Sequence, residues 1–234
     1  MERLLPSAIV AVVAGLAAVE RKGAFQLMLS RPLVLAPILG LLFGDGRAGL
    51  LLGVPLELLF LGGVNLGGNL PHNETLLAAA LTAMVVPAGA GLSGGVDAPL
   101  AVLGLALLFP LAVYGRKLER ASEQRNAEIA AEALRRVQAG DASAIRLNLR
   151  GLFLPFGVTF GICALASLCA PLLGWLRAQC GPAAVLALSG AWHAVLAVSA
   201  ACAIRAIRDS RAPFFAGLSA AVLVAAAVAF RGAL

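Results

Sequence analysis

Glu57 lies in the run Pro55-Leu56-Glu57-Leu58-Leu59-Phe60, with apolar side chains on both sides. A carboxylate at membrane depth costs at least ~2.5–3.5 kcal/mol, so it is kept where it faces a cavity, a partner or a polar solute. For a solute it would be a hydrogen-bond acceptor. In a structural role it would pair with Arg47 across a hairpin, or with Arg31 at the hairpin's mouth. A few residues on, Gly62 to Glu74 gathers Asn65, Asn69, His72, Asn73 and Glu74, and its glycines and Pro71 stop a helix from continuing. Amides and carboxylates together suit sugar hydroxyls, since each hydroxyl both donates and accepts. The same stretch also reads as an ordinary polar loop at lipid headgroups.

Asp45 and Arg47 flank Gly46 in Gly44-Asp45-Gly46-Arg47. Asp45 is either a cap or a substrate contact, while Arg47 reads as structural. His193, inside an apolar run, is expected to be neutral and bonded to a neighbouring helix rather than to relay protons. Cys163, Cys169, Cys180 and Cys202 lack metal-type spacing and read as small core-filling residues. No nucleophile with a partnered base, phosphate loop or metal cluster stands out. No cofactor is implied, and the chain does not read as a self-sufficient enzyme.

The elements that must position these groups are short. Two apolar runs, Leu33 to Phe43 and Leu50 to Leu61, flank the Gly44–Arg47 turn. A full crossing needs ~20 apolar residues at ~1.5 Å each, and neither run reaches that. They predict a re-entrant hairpin over 32–62, whose broken backbone is tolerated only against protein or a water-filled cavity.

With 61% hydrophobic residues, 13% charged and a mean hydropathy of +0.94, the 234-residue chain lies far from a soluble domain. It reads as an all-α polytopic membrane protein with about six spans (4–20, 76–93, 97–114, 151–174, 182–204 and 213–230) plus the hairpin. Met1 to Glu20 reads as a retained span, because its apolar stretch ends in Glu20-Arg21-Lys22 without a small-residue cleavage site. The net charge of +6 sits in clusters without interleaved aromatics, which points to topology rather than nucleic acid.

Residues 115–150 carry eight basic and five acidic side chains, and Arg205, Arg208 and Arg211 form a second cluster. Both clusters are cytoplasmic by the positive-inside rule. Arg21-Lys22 and Arg31 join them only if 32–62 enters and leaves on one side, which puts both termini outside. Three parts follow: an N-terminal membrane unit (1–114), a cytoplasmic amphipathic connector (115–150) and C-terminal membrane helices (151–234). The connector reads as a helix ended by Ala139-Gly140-Asp141, with an Ile129, Ala133, Val137 stripe and a Glu132–Arg136 pair. It either rests on headgroups or docks a partner. The Ala-, Gly- and Ser-rich later spans imply close helix contacts, within the chain or in a homo- or hetero-oligomer.

Arg31-Pro32-Leu33, Leu42-Phe43-Gly44-Asp45, Gly49-Leu50-Leu51-Leu52-Gly53, Leu56-Glu57-Leu58 and Leu61-Gly62-Gly63-Val64-Asn65-Leu66-Gly67 resemble, in order and spacing, the IIC subunits of the mannose/sorbose class of the bacterial phosphotransferase system. Arg211-Ala212-Pro213-Phe214-Phe215-Ala216-Gly217 is similar to the Pro-Phe-Phe segment of the same subunits. The resemblance implies a sugar permease subunit of the bacterial inner membrane. It would work beside a IID membrane subunit, with cytoplasmic IIA and IIB proteins passing phosphate to the incoming sugar. Glu57, Asn65 and Asp45 match the family's polar positions. The chain departs from the family at Pro55, where relatives carry a small polar residue. It departs again at Leu70-Pro71-His72-Asn73, where a Pro-Asp pair is common.

The leading expectation is therefore a permease subunit that binds and translocates a hexose-type sugar at Glu57, Asn65, Asp45, Asn69, His72 and Asn73. The alternative is an ion-coupled secondary transporter or exporter with Glu57 or His193 as the proton site. A non-transporting scaffold leaves Glu57 without a reason.

Overall fold

A computed structural model describes residues 4–22, 27–61, 72–90, 95–141 and 146–206, with scattered positions between 211 and 225. The described residues form helices: α1 (Leu4–Lys22), α2 (Pro32–Leu42), α3 (Gly46–Phe60), α4 (Glu74–Ala88), α5 (Ala98–Gln138), α6 (Leu147–Leu168), α7 (Ala170–Ala178) and α8 (Pro182–Ala206). The chain is an all-α polytopic membrane protein. Four helical stretches among the described residues are long and apolar enough to cross a bilayer: α1, α5, the α6–α7 pair and α8. Six spans were expected. The last of them, 213–230, lies largely outside the described residues, and α4 is shorter than a crossing.

The hairpin forms as the apolar runs dictate. Pro32 occupies the first turn of α2, where its missing N–H costs nothing. Gly44 takes φ +90° at the turn, a conformation that glycine adopts without strain. Asp45 then caps α3, accepting the Ala48 N–H at 2.8 Å. The two helices pack backbone to backbone: a Cβ on Gly49 would lie 2.3 Å from the Ala36 carbonyl oxygen, and one on Gly53 2.5 Å from that of Pro32.

α4 is the centre of the molecule. Every residue from Thr75 to Val86 is buried, and α1, α2, α3, α5, α6 and α7 all pack on it. A helix that is apolar all round belongs in such a place. α1 lies along α6, with Gly15 against Phe156, and α8 leans on α3 and α5 from the periphery.

α5 is 41 residues long, ~60 Å at 1.5 Å per residue, so it crosses the membrane and continues well beyond it. Its charged extension is unbroken with the span and ends at Gly140, at φ +77°. Arg136 donates to Glu132 at 2.8 Å, which holds that exposed carboxyl below the usual carboxylate range. At the opposite end Asp97 caps α5 through the Leu100 N–H and pairs with Arg177 at 3.1 Å, tying α5 to the last turn of α7.

Three local expectations change. The span expected over 151–174 is two helices, broken at Cys169 where Pro171 opens α7. His193 bonds the Ser189 carbonyl of its own helix at 2.8 Å and is exposed, not joined to a neighbour, because α8 is peripheral. Of the four cysteines only Cys163 is buried; the others are half-buried and all are free.

Candidate functional site

The charged groups at the open end of the hairpin assemble around Arg31. Its Nη1 lies 3.4 Å from Glu57 Oε1 and 3.6 Å from Glu74 Oε1. Glu57 also accepts the Leu33 N–H at 3.4 Å. One carboxylate belongs to the hairpin and the other to the first turn of α4, so two anions share one cation at the junction of the moving candidate and the core. Of the two structural partners considered for Glu57, the structure selects Arg31; Arg47 is exposed at the far end.

His72 and Asn73 arrive beside this group from the segment that leads into α4. The His72 ring lies 5.8 Å from the Phe60 ring at the end of α3. Its Nδ1 is buried and has no hydrogen-bond partner among the described residues. A buried imidazole nitrogen without a partner is costly and marks a place where a ligand or water would be held. Asn73 caps α4, accepting the Leu76 N–H at 2.9 Å, while its Nδ2 donates to Glu119 at 3.2 Å. That approach depends on Gly115, one turn before Glu119, because a Cβ there would meet Asn73 Cβ at 2.4 Å.

Glu119 escaped notice in the sequence. It is buried, and both Arg21 and Lys22 of α1 form ion pairs with it. Arg21 also donates to the His72 carbonyl at 3.3 Å. A small cavity of about 30 Å³ adjoins the group, lined in part by Asn73, Glu119, Ser122 and Thr159. Nearby, Glu20 accepts the N–H groups of Met28 (2.7 Å) and Ser30 (2.9 Å), fixing Met28 at φ 61° ahead of the hairpin. The signal that could have found Glu119 is topological: Arg21-Lys22 and the start of the connector share one membrane face, so an acid there has cations to meet.

Removing that hub has a defined cost. Glu119→Ala leaves two cations facing a part-buried site, and stranding buried charge costs ~3–5 kcal/mol, less here because both cations are partly exposed. The expected result is a clear drop in the thermal aggregation midpoint of detergent-solubilised protein. Glu119→Gln, which keeps an acceptor for Asn73, should fall between the two. Equal midpoints for all three proteins would show that the hub is not structural.

Of the residues singled out in the sequence, the structure brings together Glu57, His72 and Asn73. Asn65 and Asn69 lie outside the described residues. Asp45 stands at the far end of α3, ~18 Å along the helix from Glu57, where it caps.

A family model described as the sorbose-specific IIC component of the phosphotransferase system (PTS) matches residues 4–178. The chain belongs to that family. The IIC chain is 35% identical to the fructose permease IIC component of Bacillus subtilis (strain 168) over 94 residues, 40% of this chain and 34% of that protein. It is 37% identical to the putative N-acetylgalactosamine permease IIC component 2 of Escherichia coli (strain K12) over 84 residues, 34% of this chain and 63% of that one. These alignments span less than two thirds of either relative. Among solved structures, one described as a membrane protein has a TM-score of 0.68 at 24% identity, covering 97% of the IIC chain and 91% of its own. The mannose transporter ManYZ in complex with Microcin E492 gives 0.55 at 22% identity, with coverages of 94% and 86%. Both are likenesses of fold. The mannose/sorbose-class resemblance carried by residues 31–67 is thus shown at the level of family.

Proposed function

We propose that this IIC chain binds and translocates a hexose-type sugar, coupled to phosphorylation by IIA and IIB proteins and working beside a IID membrane subunit. The observation that carries the reading is the Glu57–Arg31–Glu74 group with the open Nδ1 of His72 beside it. Carboxylate, imidazole and amide converge at the mouth of a two-helix unit, and sugar hydroxyls need such mixed acceptors and donors. Asn65 and Asn69 complete the proposed site. Asp45 shapes the hairpin tip and does not contact sugar.

The proposed orientation has both termini outside and the extension of α5 in the cytoplasm of a bacterium. It is supported by the pairing of Arg21 and Lys22 with Glu119, which puts three basic clusters at one end of the molecule. The proposed division keeps 1–114 as the hairpin-bearing membrane unit, 115–150 as the cytoplasmic connector and 151–234 as the remaining membrane helices.

The test is sugar phosphorylation by vesicles that contain this chain, with and without a IID subunit and IIA and IIB proteins. Phosphoenolpyruvate-dependent formation of sugar phosphate only in the complete set is the expected outcome. Uptake that ignores phosphoenolpyruvate and collapses with an uncoupler would replace the proposal with ion coupling.

A further inference from the structure

We infer that the groove between the α5 extension and the start of α6 binds an anionic phospholipid. The groove encloses about 690 Å³ and is lined by Arg125, Glu128, Ile129 and Glu132 of α5 and by Leu147, Arg150, Phe153 and Leu154 of α6. Its position identifies its occupant. The two helices run antiparallel and touch where Gly151 faces Asn126. One to two turns deeper, Glu119, Ser122, Leu154 and Pro155 line the cavity beside Arg21 and Lys22, the cationic flank of the α1 span. The groove therefore straddles the membrane boundary. Its deep end, at Phe153 and Leu154, lies toward the bilayer, and its shallow end, at Arg125 and Arg150, lies toward water.

The two ends differ in chemistry as an amphiphile requires. Phe153 is 70% exposed, a large apolar surface that an acyl chain would cover. Arg125 and Arg150 are exposed, and no ion pair within 4 Å is seen for either among the described residues. Of the two acids on the rim, Glu132 is occupied by Arg136. That leaves Glu128 against two guanidiniums, a net positive mouth. Guanidiniums bind phosphate bidentately, and basic pockets between helices at the membrane face hold anionic headgroups. A soluble partner fits less well, because the apolar floor points into the bilayer.

The experiment is native mass spectrometry of the detergent-solubilised full chain titrated with cardiolipin, phosphatidylglycerol or phosphatidylcholine. Retention of the anionic lipids should exceed that of phosphatidylcholine by roughly fivefold or more, as expected for a phosphate–arginine contact. The Arg125→Ala/Arg150→Ala double variant should lose that excess, while Arg47→Ala at the far end of the hairpin should keep it. Phe153→Ser should weaken all three lipids alike. Equal retention of all lipids by the wild type, or an undiminished excess in the double variant, would overturn the proposal. So would full displacement by inorganic phosphate, which would reduce the groove to an anion site without a place for acyl chains. A double variant that keeps its lipid yet loses binding of a IIB protein would reassign the groove to a protein partner.

Discussion

Glu57→Gln is expected to lower sugar uptake by about 10- to 100-fold while the protein still inserts in normal amount. The substitution keeps size and one acceptor but removes the charge, and a hydrogen bond to a charged group contributes ~1.5–3 kcal/mol. Arg31 would then keep only Glu74, at 3.6 Å, so the hairpin should stay docked and the loss should appear in transport rather than in yield. Glu74→Gln is the informative companion. It removes the other half of the same pairing from α4 and leaves Glu57 with Arg31 and the Leu33 N–H, so uptake should fall far less. Uptake measured in a strain that lacks its own transporter, normalised to membrane-inserted protein, separates these cases. Near-normal uptake by the Glu57 variant would end its assignment to the sugar site.

The hairpin was legible because its signals are local: two runs too short to cross, Gly44 and Gly46 at a turn, and Asp45 placed to cap. Glu57 stood out for the same reason, as a charge among apolar neighbours. What the residues could not disclose was the partner of each charge. Arg31 and Arg47 were equivalent candidates on paper, and only the antiparallel packing of α2 on α3 puts one at the mouth and the other at the tip. Glu119 was hidden in a run of charges that composition assigns to solvent. Its burial depends on the approach of α1 and of Asn73 from elsewhere in the chain.

The helices show the same division. An apolar segment in a membrane protein has the same composition whether lipid or protein surrounds it, so periodicity could not separate α4, buried all round, from peripheral α8. The boundary drawn at residue 114 followed charge, whereas α5 follows backbone geometry and runs straight through it. His193 was expected to find a partner helix because mid-span polar groups usually do, and α8 offers it only its own preceding turn.

The second large effect concerns the hairpin's own integrity. If the hairpin moves as one body, its two helices must not separate, and Gly49 is where they are closest. An alanine there would place Cβ 2.3 Å from the Ala36 oxygen, with Pro37 Cα at 2.9 Å, both backbone atoms that cannot rotate away. Overpacking costs ~1–3 kcal/mol where side chains can adjust, and backbone must shift here, so Gly49→Ala should sit at the upper end or beyond. Gly49→Val should prevent accumulation of the folded protein. Gly53→Ala, 2.5 Å from the Pro32 oxygen near the mouth, should be comparably harmful and should also disturb the Arg31–Glu57 contact one turn away. Gly157→Ala on α6 is the control: nothing lies within 4 Å of its Cβ, and replacing a mid-helix glycine gains up to ~1 kcal/mol of helix propensity. Thermal aggregation midpoints should therefore fall steeply for Gly49→Ala and Gly53→Ala and hold or rise for Gly157→Ala. If all three fell alike, glycine content in general, rather than the contact between α2 and α3, would be what the fold requires.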